Sequence, residues 1–199
     1  MHPAHRTIGV TGGLAALPAY EEFVLPAPQQ ASRPPAVCLV LLHGPRNLED
    51  WQVPCLGRHV RQGGSLLVLD AAGSGRPAWA AFARDVLGSP LHRSFDVGAV
   101  VARPVAAAAR HPILSGVRPF TAHVALGQAG RLAAATTALL IGGRGDRAAP
   151  LAWTREDRGG RIFATILGAA EDFAAPEFLR LIANAVAWAN ENVGQAPRA

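Results

Sequence analysis

The chain contains no lysine: all 19 of its basic residues are arginine. That absence excludes whole classes of chemistry. A P-loop needs a lysine on its phosphates, a Schiff-base enzyme needs a free amine, and a protein kinase needs its strand lysine. Cysteine is nearly missing as well. Cys38 and Cys55 are too few for a disulfide scaffold, and both read as reduced, buried thiols. Long hydrophobic runs are also lacking. The opening "MHPAHRTIGV" has no unbroken apolar core of the signal-peptide kind, and "LAAATTALLIGG" is too short to span a bilayer. A cytoplasmic location with no membrane partner is therefore expected.

Clusters of basic residues are absent too. The net charge is +5 and the pI about 10.8, yet the arginines are scattered singly from Arg6 to Arg198 rather than gathered along a helix with interleaved aromatics. Nucleic acid is not the expected partner, because a basic patch is the minimum footprint for it. What is present is an ordinary globular balance, 50% hydrophobic and 17% charged over 199 residues, enough for one domain with a real core. We expect a single domain over 1–199, with 192–199 a tail beyond the last helix.

Along the chain, a short strand from Arg6 to Val10 and a second candidate in "EEFVLP" precede the proline-rich loop "QQASRPP". "AVCLVLLHG" and "SLLVLDAAGSG" are continuous apolar runs that stop at small residues, the pattern of strands buried on both faces. Between them "NLEDWQVPCLGRHVRQGG" predicts a helix, with Asn47 as N-cap, Pro54 in the first turn and Gly63 as stop. A second helix is predicted over Pro77 to Leu87, then β-rich pieces to Pro119, and a further buried strand in "TALLIGG". "PLAWTREDRGGRIFATILG" reads as a β-hairpin, with strands Leu151 to Thr154 and Arg161 to Leu167 joined by Arg155-Glu156-Asp157-Arg158-Gly159-Gly160. A closing helix opens at Pro176, carries an apolar stripe of Phe178, Ile182, Val186 and Ala189, and stops at Gly194. Alternation of strand and helix predicts an α/β fold of three layers: a mostly parallel sheet with helices on both faces, a C-terminal hairpin and a closing helix.

In such sheets ligands bind beyond the carboxyl ends of the strands. That rule selects His43 and Gly44 after one strand, Asp70 with Gly73, Ser74 and Gly75 after the next, and the loop after Leu140-Ile141.

Three segments carry a resemblance: "LGRHVRQGGSLLVLD", "HPILSGV", and the hairpin continuing into "FLRLIANAVAWA". Together they resemble the ThuA-like family, named for trehalose utilisation, across Val37 to Ala189. The resemblance implies a flavodoxin-like domain similar to class I glutamine amidotransferases, and a loose link to carbohydrate metabolism. It also implies that the charged hairpin is a family feature, with Trp153 as a stacking face, Arg155 as a fork donor and Glu156 beside them as ligand contacts. The competing role for these residues is a solvated turn with weak surface ion pairs. Three departures suggest a degenerate member, the first being an abbreviated N-terminal βα unit, with only ten residues between Val10 and Glu21. Ala169 follows Gly168 where the family carries histidine, and "FTAHVALG" lacks the family's acidic and aromatic pair, leaving His123 as its one titratable group.

The remaining chemistry is narrow. In the related amidotransferases a nucleophilic cysteine follows the strand after the double glycine; here that place is Asp70, which argues against glutamine hydrolysis. "AAGSGRP" fails the Gly-x-Ser-x-Gly elbow, which argues against a serine hydrolase. Asp70 is the candidate general base or hydroxyl acceptor, with a helix-capping role as the alternative. His111 is the candidate partner, held extended by Pro112, and its alternative is a ring bonded to a backbone carbonyl. No cofactor is implied. Residue spacing assembles no metal site, although ligands drawn from distant segments stay open.

Two functions follow. One is an enzyme or binding protein for a small hydroxylated ligand, a sugar or keto-sugar. The other is a catalytically silent domain that serves as a binding or assembly subunit, with a protein partner or a second copy of itself.

Overall fold

The structure, a computed structural model, describes residues 7–10, 39–44, 48, 50–72, 75–93, 98–124, 127–143, 148–157 and 160–191. Its elements in chain order are β1 Thr7–Val10, β2 Leu39–His43, α1 Gln52–Arg61, β3 Ser65–Leu69 and α2 Pro77–Phe82, which runs on as a π-helical turn Ala83–Leu87. Then come β4 Leu91–Arg93, β5 Gly98–Pro104, β6 Phe120–Val124, β7 Gly127–Ala129, β8 Thr136–Gly142, β9 Ala149–Asp157, β10 Gly160–Thr165 and α3 Pro176–Glu191. The candidate strand at 21–26, the Asn47 cap, Cys38, Ser74 and the Gly194 stop lie outside the described residues.

Local chemistry accounts for the parallel half. All five residues of β3 are buried, as a strand covered on both faces requires. Pro54 sits in the first turn of α1, where its missing N–H would be unbonded anyway. The double glycine after α1 has two separate causes. Gly63 adopts φ +87, and a Cβ on Gly64 would lie 2.1 Å from the His59 ring, which is folded back onto that position. The chain is thereby turned directly into β3.

The eight-stranded sheet has the order β1-β2-β3-β10-β9-β8-β5-β6, and β4 pairs with β7 separately. β1, β2, β3 and β10 run parallel to their neighbours, whereas β10 to β9, β9 to β8, β8 to β5 and β5 to β6 are antiparallel. The expected mostly parallel sheet is therefore corrected to a mixed sheet with more antiparallel than parallel pairings. The physical reason lies in the connections. Among the described residues from β4 to β10, no helix longer than a single turn lies between strands, which suits antiparallel neighbours, whereas a parallel pair needs a long crossover. β5 also has the signature of a strand wetted on one face, with Val100 and Ala102 buried between exposed Ala99, Val101 and Arg103.

Helices do cover both faces. Gly160 packs on α1, since a Cβ there would lie 2.6 Å from the Val60 carbonyl, while the next residue, Arg161, bonds the Trp188 carbonyl and Glu191 of α3. Consecutive strand residues point to opposite faces, so α1 and α3 lie on opposite sides of the sheet. α3 buries Phe178, Leu181, Ile182, Ala185, Trp188 and Ala189 against it.

Candidate functional site

The parallel strands β2, β3 and β10 end at one rim, and the turns that leave it are unusually constrained. Gly44, just past β2, donates its N–H to the Leu69 carbonyl at 3.0 Å with φ +63. Asp70, just past β3, has φ +50 and is the one non-glycine residue at positive φ among the described residues. Such a backbone persists only where its surroundings hold it, and it concentrates at functional sites. Here the Asp70 N–H bonds Leu167 O at 2.8 Å, the Ala71 N–H bonds Thr165 O at 3.0 Å, and the Trp79 indole donates to Ala71 O at 2.9 Å. The sharp turn presents a half-buried carboxylate directly at the end of a fully buried strand.

Small residues surround that carboxylate. A Cβ on Gly44 would stand 3.8 Å from Asp70 Oδ2, and one on Gly168, at φ +137, would stand 3.1 Å from Asp70 N and 3.4 Å from both Asp70 Cβ and His43 Nε2. His43 Nε2 donates to the Gly168 carbonyl at 2.8 Å. A carbonyl only accepts, so the neutral ring carries its hydrogen on Nε2 and its lone pair on Nδ1. Phe173 meets the same ring edge to face, with centroids 5.6 Å apart. The predicted residues His43, Gly44 and Asp70 are therefore brought together.

A residue the sequence reading passed over organises the loop behind them. Asp172, with no exposed surface, accepts the N–H groups of Gly168 at 2.8 Å and Ala169 at 3.1 Å on Oδ2, and that of His123 at 2.7 Å on Oδ1. The signal was present in "GAAEDFAAP": an aspartate three and four residues after backbone amides is the spacing of a side-chain-capped turn.

The other predicted residues go elsewhere. Trp153 is fully buried, and its indole donates to the Leu87 carbonyl at 2.8 Å; Arg155 Nη1 donates to the Asp85 carbonyl at 2.9 Å. Together they satisfy carbonyls in the π-helical turn after α2, which would otherwise end unbonded. Trp153 offers no stacking face to a ligand, because the core has absorbed it. Glu156 is exposed on the opposite face, paired in register with Arg161. His111 packs its ring on Trp188 with centroids 5.4 Å apart, and its Nδ1 accepts the Ile113 N–H at 3.3 Å. Burial is the main cause holding its pKa below the ordinary value, Glu156 pulling it up and Arg161 down. Arg161 lies at the start of β10, next to Gly160, and Leu167 follows its far end, so His111 and the hairpin tip are separated from Asp70 by roughly the length of β10, about 20 Å at 3.3 Å per residue. The structure thus places Asp70, His43, Gly44 and Gly168 at one rim, and His111 and Trp153 away from it.

Among the described residues no three His, Cys, Asp or Glu side chains gather at metal-binding range. No described helix is long and apolar enough to cross a membrane.

The family model described as "Trehalose utilisation" matches residues 36–189. The chain belongs to the ThuA family. Solved structures agree on the fold of this ThuA chain. It is similar to a structure described as a ThuA-like protein from Bacteroides uniformis, with a TM-score of 0.60, 14% identity, and 77% of this chain and 69% of that one covered. It is similar to a cytoplasmic protein from Salmonella typhimurium, with a TM-score of 0.53, 15% identity, and 76% and 71% covered. A β-galactosidase from Bacillus circulans sp. alkalophilus matches at a TM-score of 0.53 and 14% identity over 77% of this chain, which spans 23% of that longer chain. No curated protein sequence matches. The ThuA family's description suggests a role in carbohydrate metabolism.

Proposed function

We propose that this ThuA-family domain binds a small hydroxylated ligand, a sugar or keto-sugar, at the carboxyl rim of β2, β3 and β10. Asp70 is the hydroxyl acceptor and, with a keto-sugar, the general base that removes a proton beside the carbonyl. The observation that carries this reading is the positive φ of Asp70, held between Gly44 and Gly168 beside an imidazole anchored by its own hydrogen bond. A carboxylate at the end of a rigid strand accepts two neighbouring hydroxyls without reorganising, and glycines on either side let a polar ligand approach the backbone. The ligands are those of a cytoplasmic protein.

The test is a thermal-shift screen of trehalose, glucose, fructose and other keto-sugars on the wild type and on Asp70→Asn. A sugar that binds only the folded state raises the melting temperature. The proposal expects a rise with at least one sugar that Asp70→Asn abolishes. An equal rise in the variant removes Asp70 from the site.

Ala169 favours a second reading, a catalytically silent subunit, because a methyl group stands where the resemblance calls for an imidazole. Among the described residues Val101 is the one large hydrophobic that is exposed, at 42%, which leaves little apolar surface for assembly. Concentration-dependent self-association with no sugar response would establish the silent reading over the first.

A further inference from the structure

The strand β6, at the far edge of the sheet from β1, delivers a second imidazole to the loop that lies against Asp70. The backbone of His123 and the backbone of Gly168 and Ala169 hang on the two oxygens of one carboxylate, that of Asp172. This places the backbone of His123 beside that of Ala169. The Asp172 side chain is 0% exposed, whereas that of His123 is 36% exposed. Within the His123 ring the two nitrogens are unequal. Nδ1 is buried without a hydrogen-bond partner, 3.8 Å from Asp172 Oδ1, so the exposure of the ring falls on its other atoms.

A buried ring nitrogen facing a buried carboxylate just beyond hydrogen-bond range is an open pair. Leaving it open costs the desolvation of the nitrogen, and a movement of about 1 Å closes it. Closure puts the hydrogen on Nδ1 and the lone pair on Nε2, the arrangement in which a carboxylate sets the tautomer of an imidazole that acts through its other nitrogen. His43 has the reverse tautomer, with its hydrogen on Nε2 committed to Gly168. The two rings are thus not equivalent, and His123 is the one whose outer nitrogen is left to accept.

We infer that His123, oriented by Asp172, is a second ligand-binding group of this rim and accepts a hydroxyl of the bound sugar on Nε2. Asp172 is its positioning residue. The inference rests on the sugar-binding reading of Asp70, and it adds the group that selects among hydroxyl arrangements, since two acceptors on separate strands read two positions of one ring.

The test uses the full chain labelled with ¹⁵N-histidine, the His123 ring signals being assigned by their loss in His123→Gln. Two-bond ¹H–¹⁵N correlation of the neutral ring is expected to give the Nδ1–H tautomer. The sugar that raises the wild-type melting temperature most is expected to shift the Nε2 resonance, and His123→Gln to weaken its binding at least tenfold, about 1.4 kcal/mol. The Nε2–H tautomer overturns the orienting role of Asp172, which a merely structural capping carboxylate would leave unset. Unchanged affinity in His123→Gln, with binding lost in Asp70→Asn, overturns the inference and leaves the Asp70 reading standing. Failure of the wild type to bind any of these sugars overturns the underlying reading and the inference with it.

Discussion

His43 and Gly168, 125 residues apart, are joined by a 2.8 Å hydrogen bond from the ring to the backbone. That single contact brings the end of β2 to the loop after β10 and encloses Asp70 between them. Gly168 has no side chain to intrude, and its φ of +137 is open to glycine alone. The rim is therefore held by backbone and by glycines.

The first prediction concerns that glycine. Gly168→Ala forces a Cβ to 3.1 Å from Asp70 N at a backbone angle that L side chains avoid. It should cost about 2 kcal/mol or more, a fall of about 4–8 °C in melting temperature for a domain of this size. Urea denaturation of the variant checks this, and a wild-type midpoint would show that the loop yields without strain.

Asp172 should be among the most sensitive positions in the chain. Asp172→Ala leaves three amide hydrogens without their acceptor, two of them in the loop that faces Asp70. A loss of about 3 kcal/mol or more is expected, and Asp172→Asn, which keeps one acceptor oxygen, should lose less. Equal losses in the two variants, measured by chemical denaturation, would mean that the charge of the carboxylate, rather than the number of acceptor oxygens it keeps, sets the cost.

Trp153→Phe separates structural from ligand roles. It removes the donor to the Leu87 carbonyl and part of a fully buried ring, for a cost of about 2 kcal/mol. The sugar-induced thermal shift, taken relative to the variant's own baseline, should be unchanged. A diminished shift would return Trp153 to the site.

Stability should also fall on mild acidification. Burial holds the His59 ring below the ordinary histidine pKa of 6.5, with its bond to the Ser65 carbonyl pulling the other way, and burial lowers His111 likewise. Between the folded value and 6.5 the unfolded chain binds more protons than the folded one, so stability rises with pH there. The contribution of these rings is whole above pH 6.5 and is lost as the pH falls through their folded values. Denaturation midpoints followed downward from pH 7.5 should show the loss, and His59→Gln should flatten the slope. A slope that His59→Gln leaves intact would assign the effect to other groups.

Much of the local structure is legible in the residues. The apolar runs ending at His43 and Leu69, the glycine-closed hairpin and the proline-opened helix from Pro176 all follow from short-range patterns, because burial on two faces, tight turns and helix starts each leave a compositional mark within a few residues. The place of Asp70 is also legible, since an apolar run that stops at a carboxylate marks where a buried strand comes out of the core. The direction of the neighbouring strands was not. A fully apolar strand such as that in "TALLIGG" looks the same whether its neighbours run with it or against it, and the hydrogen bonds that decide the matter join residues far apart. Trp153, Arg155 and Glu156 lie within four residues of one another, yet period-two alternation sends the first two under the π-helical turn and the third to the opposite face.

By itself the sequence determined most of the segments that become strands and helices, that no lysine chemistry operates in this chain, and that a carboxylate stands after β3. Only the tertiary structure decided what ties that corner together: the bond from His43 to the Gly168 carbonyl, and the buried Asp172 carboxylate that joins the backbone of His123 to the same loop, while His111 was carried to the other end of β10. The physical reason is that secondary structure is written in neighbours a few residues apart, whereas a site is made by packing and hydrogen bonds between segments whose separation along the chain leaves no trace in either one.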